Sequence, residues 1–63
     1  PTTGSEGMIG ETGEVLADLN PAGSVRVHGE IWTAESASGF IEQGAKIRVV
    51  EIHNLTLRVE RLS

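Results

Sequence analysis

The chain has 63 residues, a formal net charge of −4 and no cysteine. It is long enough for one small domain, and neither disulfides nor thiolate-bound metals can reinforce it. Five Lys and Arg face nine Asp and Glu, and Trp32 and Phe40 are alone among Phe, Tyr and Trp. Both features disfavour a nucleic-acid binder, which needs a cationic surface and stacking side chains. The chain begins with Pro1, and we expect it to be part of a longer protein.

The first predicted elements are a linker and a bent strand. Residues 1–7 (PTTGSEG) are small and polar, and we interpret them as a disordered linker before a domain that spans residues 8–63. A period of two over residues 8–19 predicts a strand. The apolar residues on one side of this alternation are Val15, Ala17 and Leu19. Gly10 and Gly13 lie within the strand and indicate a bulge or a strong bend.

A hairpin is predicted next. Residues 20–23 (NPAG) have Pro at the second and Gly at the fourth position of a β-turn. Residues 24–28 alternate, with two inward valines and with His28 outward. Residues 29–30 make a tight reversal, and residues 31–35 run back beside the preceding strand.

A polar connection and two strands complete the chain. Residues 36–44 (SASGFIEQG) include Phe40 and Ile41, an apolar pair that we expect to plug the open end of the core. Residues 45–53 (AKIRVVEIH) are the strongest predicted strand. Their apolar face switches at residues 49–50, which predicts a β-bulge, unless both faces are covered there. After a short turn, the last strand has the alternating residues Leu55, Leu57 and Val59.

These elements predict an all-β fold. Short strands recur with turn signals about every eight to twelve residues, and no segment has a long helical period. About 60 residues cannot form two complete sheets, whereas a closed barrel removes the exposed strand edges of a small open sheet. We therefore predict a small five-stranded OB-fold-type barrel.

Candidate catalytic and metal-binding residues do not form a recognised pattern. Residues 36–39 (SASG) contain two serines outside any Gly-x-Ser-x-Gly elbow, and we interpret them as a loop. His28 and His53 have carboxylates close by in the sequence, Glu30 and Glu51, which is the chemical minimum for a metal site. No short ligand spacing joins the two histidines, so we interpret them as surface residues. We predict no catalytic residue, no metal ligand and no cofactor.

Three single features have a structural and a functional interpretation. Trp32 is either a core residue that alternates with Ala34 or a ligand-stacking residue on the barrel face, and we favour the core. Residues 54–56 (NLT) match a glycosylation sequon, a motif that is frequent by chance. Lys46 is the only lysine, and its place in a predicted strand does not fit a lipoyl- or biotinyl-carrier domain, which needs a modifiable lysine in a hairpin.

The order of several glycine, proline and apolar positions resembles a known family. The positions that carry the resemblance are Gly10, Gly13, Leu19, Pro21, Gly23, Val25, Gly29, Glu30, Trp32, Ala34, Ser36, Ile41, Gly44, Ile47, Val49, Val50, Leu57 and Val59. This series, from about Gly7 to Leu62, is similar to the C-terminal soluble domain of NfeD-like membrane proteins. Thr33 and His28 replace commonly acidic residues, which puts any family-wide contact at this hairpin in doubt.

The resemblance implies an OB-fold barrel and a function. It implies a parent anchored by transmembrane helices outside this chain, preceded in longer members by a serine-protease domain of the ClpP class. The domain itself is then expected to be a non-catalytic interaction module on the cytoplasmic side, which binds a stomatin- or flotillin-like membrane protein or self-associates at the membrane surface. Two alternatives stay open: a regulatory appendage of a ClpP-class membrane protease, and an oligonucleotide- or oligosaccharide-binding OB module.

Overall fold

The computed structural model describes residues 7–62, and its regular elements are all β-strands. The strands are β1 (Thr12–Ala17), β2 (Ala22–Val27), β3 (Glu30–Ser36), β4 (Lys46–His53) and β5 (Thr56–Arg61). The predicted all-β fold is confirmed. Within residues 7–62, no helix has the length and hydropathy needed to cross a bilayer. Of the predicted linker, residues 1–6 lie outside the described residues.

The five strands close into a barrel in the order β1-β2-β3-β5-β4. All neighbours are antiparallel except β3 and β5, which are parallel. Gly13 of β1 lies opposite Val27 of β2 and Ile47 of β4, so it sits where the barrel closes. A Cβ at Gly13 would collide with the carbonyl oxygen of Arg26, which explains a glycine inside this strand. Closure places alternate side chains outside, so a binding surface must lie on the outer face or at the barrel ends.

The core is formed by the inward side chains of all five strands and by residues at the two barrel ends. Its buried members are Met8, Val15, Leu19, Val25, Val27, Ala34, Ile41, Ile47, Val49, Leu57 and Val59. All of them are apolar, and most are β-branched or Leu, residues that suit a tightly curved sheet. Removal of this apolar surface from water stabilises the barrel by about 25 cal/mol per Å².

The predicted bulge in β4 is confirmed. The register between β4 and β5 shifts between Val49, opposite Val59, and Glu51, opposite Arg58, so Val50 is the extra residue. The bulge moves the inward face from Val49 to Ile52, which is partly buried and packs against the core. It thereby turns Glu51 to the outside of the barrel, where it can take part in a surface site.

The first strand is shorter than predicted. Residues 8–19 were expected to form one strand, but β1 begins only at Thr12. Residues 7–10 form a turn, closed by a 3.0 Å hydrogen bond from the Glu11 N–H to the Met8 carbonyl. The register of β1 also shifts between Val15 and Ala17, and Ala17 is exposed.

The end of the barrel that holds the two hairpin turns is called the hairpin end. The first turn consists of His28 and Gly29, one residue earlier than predicted, because Val27 pairs with Glu30. Both turn residues have positive φ (57° and 75°), as a type I′ turn requires. His28 is therefore a turn residue, and its predicted place in the strand is wrong.

The second hairpin turn also corrects a predicted strand. His53 pairs with Thr56, so Asn54 and Leu55 form a two-residue turn between β4 and β5. Leu55 lies outside the last strand and is 76% exposed. Asn54 has φ 59°, a conformation that Asn adopts more readily than most residues, which explains its presence here without glycosylation.

The opposite end of the barrel is closed by a bridge between two loops. Leu19 and Ile41 exchange backbone hydrogen bonds of 2.8 and 3.1 Å, and both side chains are buried. The predicted plug is correct for Ile41 and wrong for Phe40, which is 53% exposed. Because successive side chains of extended backbone point to opposite sides, the bridge that buries Ile41 turns Phe40 outward.

Candidate interaction surface

The two histidines lie in different surroundings. His28 is in the first hairpin turn, and its Nε2 atom lies 2.9 Å from Oε1 of Glu11. His53 ends β4 beside Glu51, on the outer face. No group of three or more His, Asp or Glu residues in the described part of the chain is arranged to hold a metal ion.

Of the two loop serines singled out in the sequence, Ser36 stabilises the backbone after β3. Ser36 is buried at the end of β3, and its Oγ atom accepts a 3.0 Å hydrogen bond from the Ser38 N–H. Between residues 7 and 62, no hydrogen bond joins a serine hydroxyl to a histidine ring.

Trp32 packs against the core, as its alternation with Ala34 predicts, but its side chain is only partly buried. It lies opposite Val25 in the β2–β3 pair. Its Nε1 atom is buried and finds no hydrogen-bond acceptor among residues 7–62. The ring therefore contributes apolar contact to the core, which agrees with the favoured interpretation of Trp32.

A groove of about 440 Å³ runs over the outer face of β3, β5 and β4. It is lined by Glu35, Glu51, His53, Asn54, Thr56 and Arg58. Parallel pairing places Arg58 opposite Glu35, and their closest side-chain atoms, Nη1 and Oε1, are 3.8 Å apart. Sequence reasoning did not identify this groove, because nothing in the local pattern brings β3 beside β5.

Large apolar side chains are exposed beside this groove. Thr56 of β5 pairs with His53 of β4 and with Thr33 of β3, so the second hairpin turn lies beside the first residues of β3. Ile31 on β3 is 70% exposed, and Leu55 in the turn is 76% exposed. Contiguous patches of exposed apolar side chains mark interaction sites, and these two residues are the candidates for such a patch here.

A second groove of about 360 Å³ lies on the opposite side, across β2, β1 and β4. Glu14 of β1 pairs in register with Arg26 of β2 and with Lys46 of β4. One carboxylate thus faces two cations across neighbouring strands. Within residues 7–62, neither groove has a large exposed apolar side chain in its lining, and Ile31 of β3 pairs with Arg26 of this one.

An ion pair ties the β3–β4 connection to the end of β5. Arg61 donates two hydrogen bonds to the Glu42 carboxylate, of 3.1 and 2.6 Å. The hydrogen bonds from Arg61 lower the pKa of Glu42 from 4.5 to about 2, and the same contact raises the pKa of Arg61. Nearby, Asp18 accepts a 2.7 Å hydrogen bond from the Gln43 N–H, so two contacts hold this connection in place.

The fold and surface define a small all-β barrel with an outer groove. The family of NfeD-like C-terminal, partner-binding domains matches residues 5–61, and the chain belongs to this family. The predicted resemblance is therefore confirmed.

One relative and two solved structures show the range of the similarity. The chain is 52% identical over 60 residues to a membrane-bound protease of Pyrococcus horikoshii and spans 14% of that protein's length. The C-terminal domain of a stomatin operon partner protein from P. horikoshii has a TM-score of 0.90 at 50% identity, with 97% of each chain covered. The soluble domain of a Corynebacterium glutamicum membrane protein implicated in regulation of membrane protease activity has a TM-score of 0.83 at 31% identity, covering 87% of this chain and 92% of that one.

Proposed function

We propose that this barrel is a non-catalytic interaction module that binds a stomatin- or flotillin-like membrane protein. Its membership in a family of partner-binding domains, over residues 5–61, carries the proposal. A stomatin operon partner protein shares the whole fold at 50% identity, which supports a stomatin-like partner.

The proposal includes a location. Relatives of this domain are a membrane-bound protease and the soluble domain of a membrane protein. We propose that transmembrane helices elsewhere in the parent protein hold this barrel at the cytoplasmic surface of a membrane. Tethering beside a membrane-embedded partner raises the effective concentration of each for the other, so a modest affinity is sufficient there.

Co-purification tests this function. The parent membrane protein is solubilised gently, with and without residues 1–63, and the proteins that co-purify are identified by mass spectrometry. We expect a stomatin- or flotillin-like protein only when the domain is present. Equal recovery from both samples would contradict the proposal, because the contact would then lie outside this barrel.

A regulatory role in proteolysis is the second candidate, because the C. glutamicum relative is implicated in regulation of membrane protease activity. Under this alternative, the barrel changes the rate at which a membrane protease cleaves its substrate. The rate is measured for the parent with and without residues 1–63. A change in cleavage rate without any change in co-purifying proteins would favour regulation over partner recruitment.

A further inference from the structure

The groove on β3, β5 and β4 combines concave polar surface with exposed apolar side chains. Its volume, about 440 Å³, lies within the usual range of binding pockets, about 300–1,000 Å³. Leu55 follows Asn54 of the lining and is 76% exposed, and Ile31, 70% exposed, lies two residues before Thr33, which pairs with Thr56 of the lining. A binding segment could therefore place a polar residue in the groove and an apolar neighbour against these two side chains.

The charges of the groove favour a cation. Its lining contains the carboxylates of Glu35 and Glu51 and one guanidinium, that of Arg58. Arg58 is directed to Glu35, with a separation of 3.8 Å. Glu51 makes no salt bridge within residues 7–62. Among its carboxylate, guanidinium and ammonium groups, the lining carries one net negative charge, because two carboxylates outnumber one guanidinium.

Charge also decides between possible occupants. A membrane surface rich in anionic lipid would be repelled by this groove and by the net charge of −4 on the chain. Two copies of the chain would repel one another for the same reason. A protein segment with Lys or Arg next to a bulky apolar residue satisfies both the free carboxylate and the exposed apolar side chains.

The second groove does not offer this combination. Its lining contains the carboxylate of Glu14 and the cationic residues Arg26 and Lys46, which lie opposite Glu14 in register. With one carboxylate against two cations, its lining carries a net positive charge, opposite in sign to that of the first groove. It therefore serves as an internal control for a test of the first groove.

We propose that the groove on β3, β5 and β4, with Ile31 and Leu55 beside it, is the partner-binding surface and receives a segment in which Lys or Arg adjoins a bulky apolar residue. The basic side chain contacts Glu51, and the apolar side chain packs against Leu55 and Ile31. The inference rests on the proposed function and deepens it, since it assigns a surface and a chemistry to the partner contact.

Peptide binding to the isolated domain tests the surface. The isolated form is suitable, because a solved C-terminal domain of a P. horikoshii protein covers 97% of this chain and is itself 97% covered. The probe is a capped hexapeptide of alternating Lys and Leu, and its controls alternate Glu with Leu, or Lys with Gly. NMR amide shifts of the ¹⁵N-labelled domain should change around the first groove with the Lys–Leu peptide and remain unchanged with both controls.

Paired variants make the result specific. Glu51→Gln combined with Leu55→Ser should weaken the affinity for the Lys–Leu peptide about tenfold or more. Glu14→Gln, in the second groove, should leave it unchanged. Both changes of the first variant are at exposed residues, and a retained melting transition verifies its fold. Equal affinity in all forms, or shift changes centred on the second groove, would overturn the proposal.

The same double variant in the full parent separates this inference from the proposed function. If the partner co-purifies with the wild type and with the double variant, and is lost only when residues 1–63 are removed, the barrel binds its partner through another surface. If recovery never depends on the barrel, the proposed function itself fails. If the NMR amide shifts of the groove residues change with the concentration of the domain in the absence of peptide, the occupant is a second copy of the chain. That result would overturn the choice of partner.

Discussion

At the scale of single residues, Trp32 is the largest side chain at the core and has a clear expected effect. We expect Trp32→Ala to destabilise the domain by about 3–5 kcal/mol, the usual range for aromatic truncation in a core. For so small a barrel, this loss approaches the whole free energy of unfolding. Urea denaturation followed by circular dichroism measures it.

Trp32→Phe is the matched control for this experiment. It keeps an aromatic ring against the core and removes the indole N–H that has no acceptor among residues 7–62. We expect the loss to be smaller than in Trp32→Ala, because most of the packing volume remains and no buried donor is left unsatisfied. A sharp, wild-type-like transition in Trp32→Ala would contradict the role of this residue in the core.

At the scale of elements, the Glu42–Arg61 pair links the β3–β4 connection to β5 and makes stability depend on pH. The pKa of Glu42 is about 2 when folded, against an ordinary value of 4.5. Because the pKa of Glu42 is lower in the folded chain than in the unfolded chain, the pair stabilises the barrel above pH 4.5. This contribution is lost as the pH falls towards 2. The pair is exposed, so salt should weaken its effect as well.

Melting temperatures of wild type and Glu42→Gln test this dependence. The wild type should melt at a higher temperature at about pH 7, and the difference should shrink as the pH falls through this window. In an Arg61→Gln background, Glu42→Gln should produce no such pH-dependent difference, since the partner is already absent. A difference that is constant across the window would argue against a contribution from the ionised pair.

At the scale of the whole molecule, charge and aromatic content separate this barrel from OB modules that bind single strands. The net charge is −4, and Trp32, the single Trp, is packed against the core. We expect no salt-sensitive binding to a poly-thymidine oligonucleotide tighter than about 10⁻⁶ M, as measured by fluorescence anisotropy. Tighter, salt-dependent binding would favour the oligonucleotide-binding alternative.

The barrel also explains why the outer groove was not predicted. The outward positions of Glu51 and Arg58 follow from the hairpin of β4 and β5, which the alternation predicts. The remaining charged residue of the groove, Glu35, belongs to β3. This strand pairs with β5 only because the sheet closes. A parallel pair of strands that are not consecutive leaves no local signature in a sequence, since periodicity reports only neighbours along the chain.

The sequence by itself determined the number and order of the strands, the hairpin of β2 and β3 and the switch of apolar face at residues 49–50, because alternation, turn residues and such a switch are local properties of the chain. Only the tertiary structure decided which apolar residues are exposed. Phe40 and Leu55 have the composition of core residues, but a β-bridge turns one outward and a two-residue turn leaves the other outside the barrel. Closure also decided that β3 lies beside β5. The bridge at Ile41 and the β3–β5 pairing join distant parts of the chain, and the β3–β5 pairing forms the groove on which function is proposed.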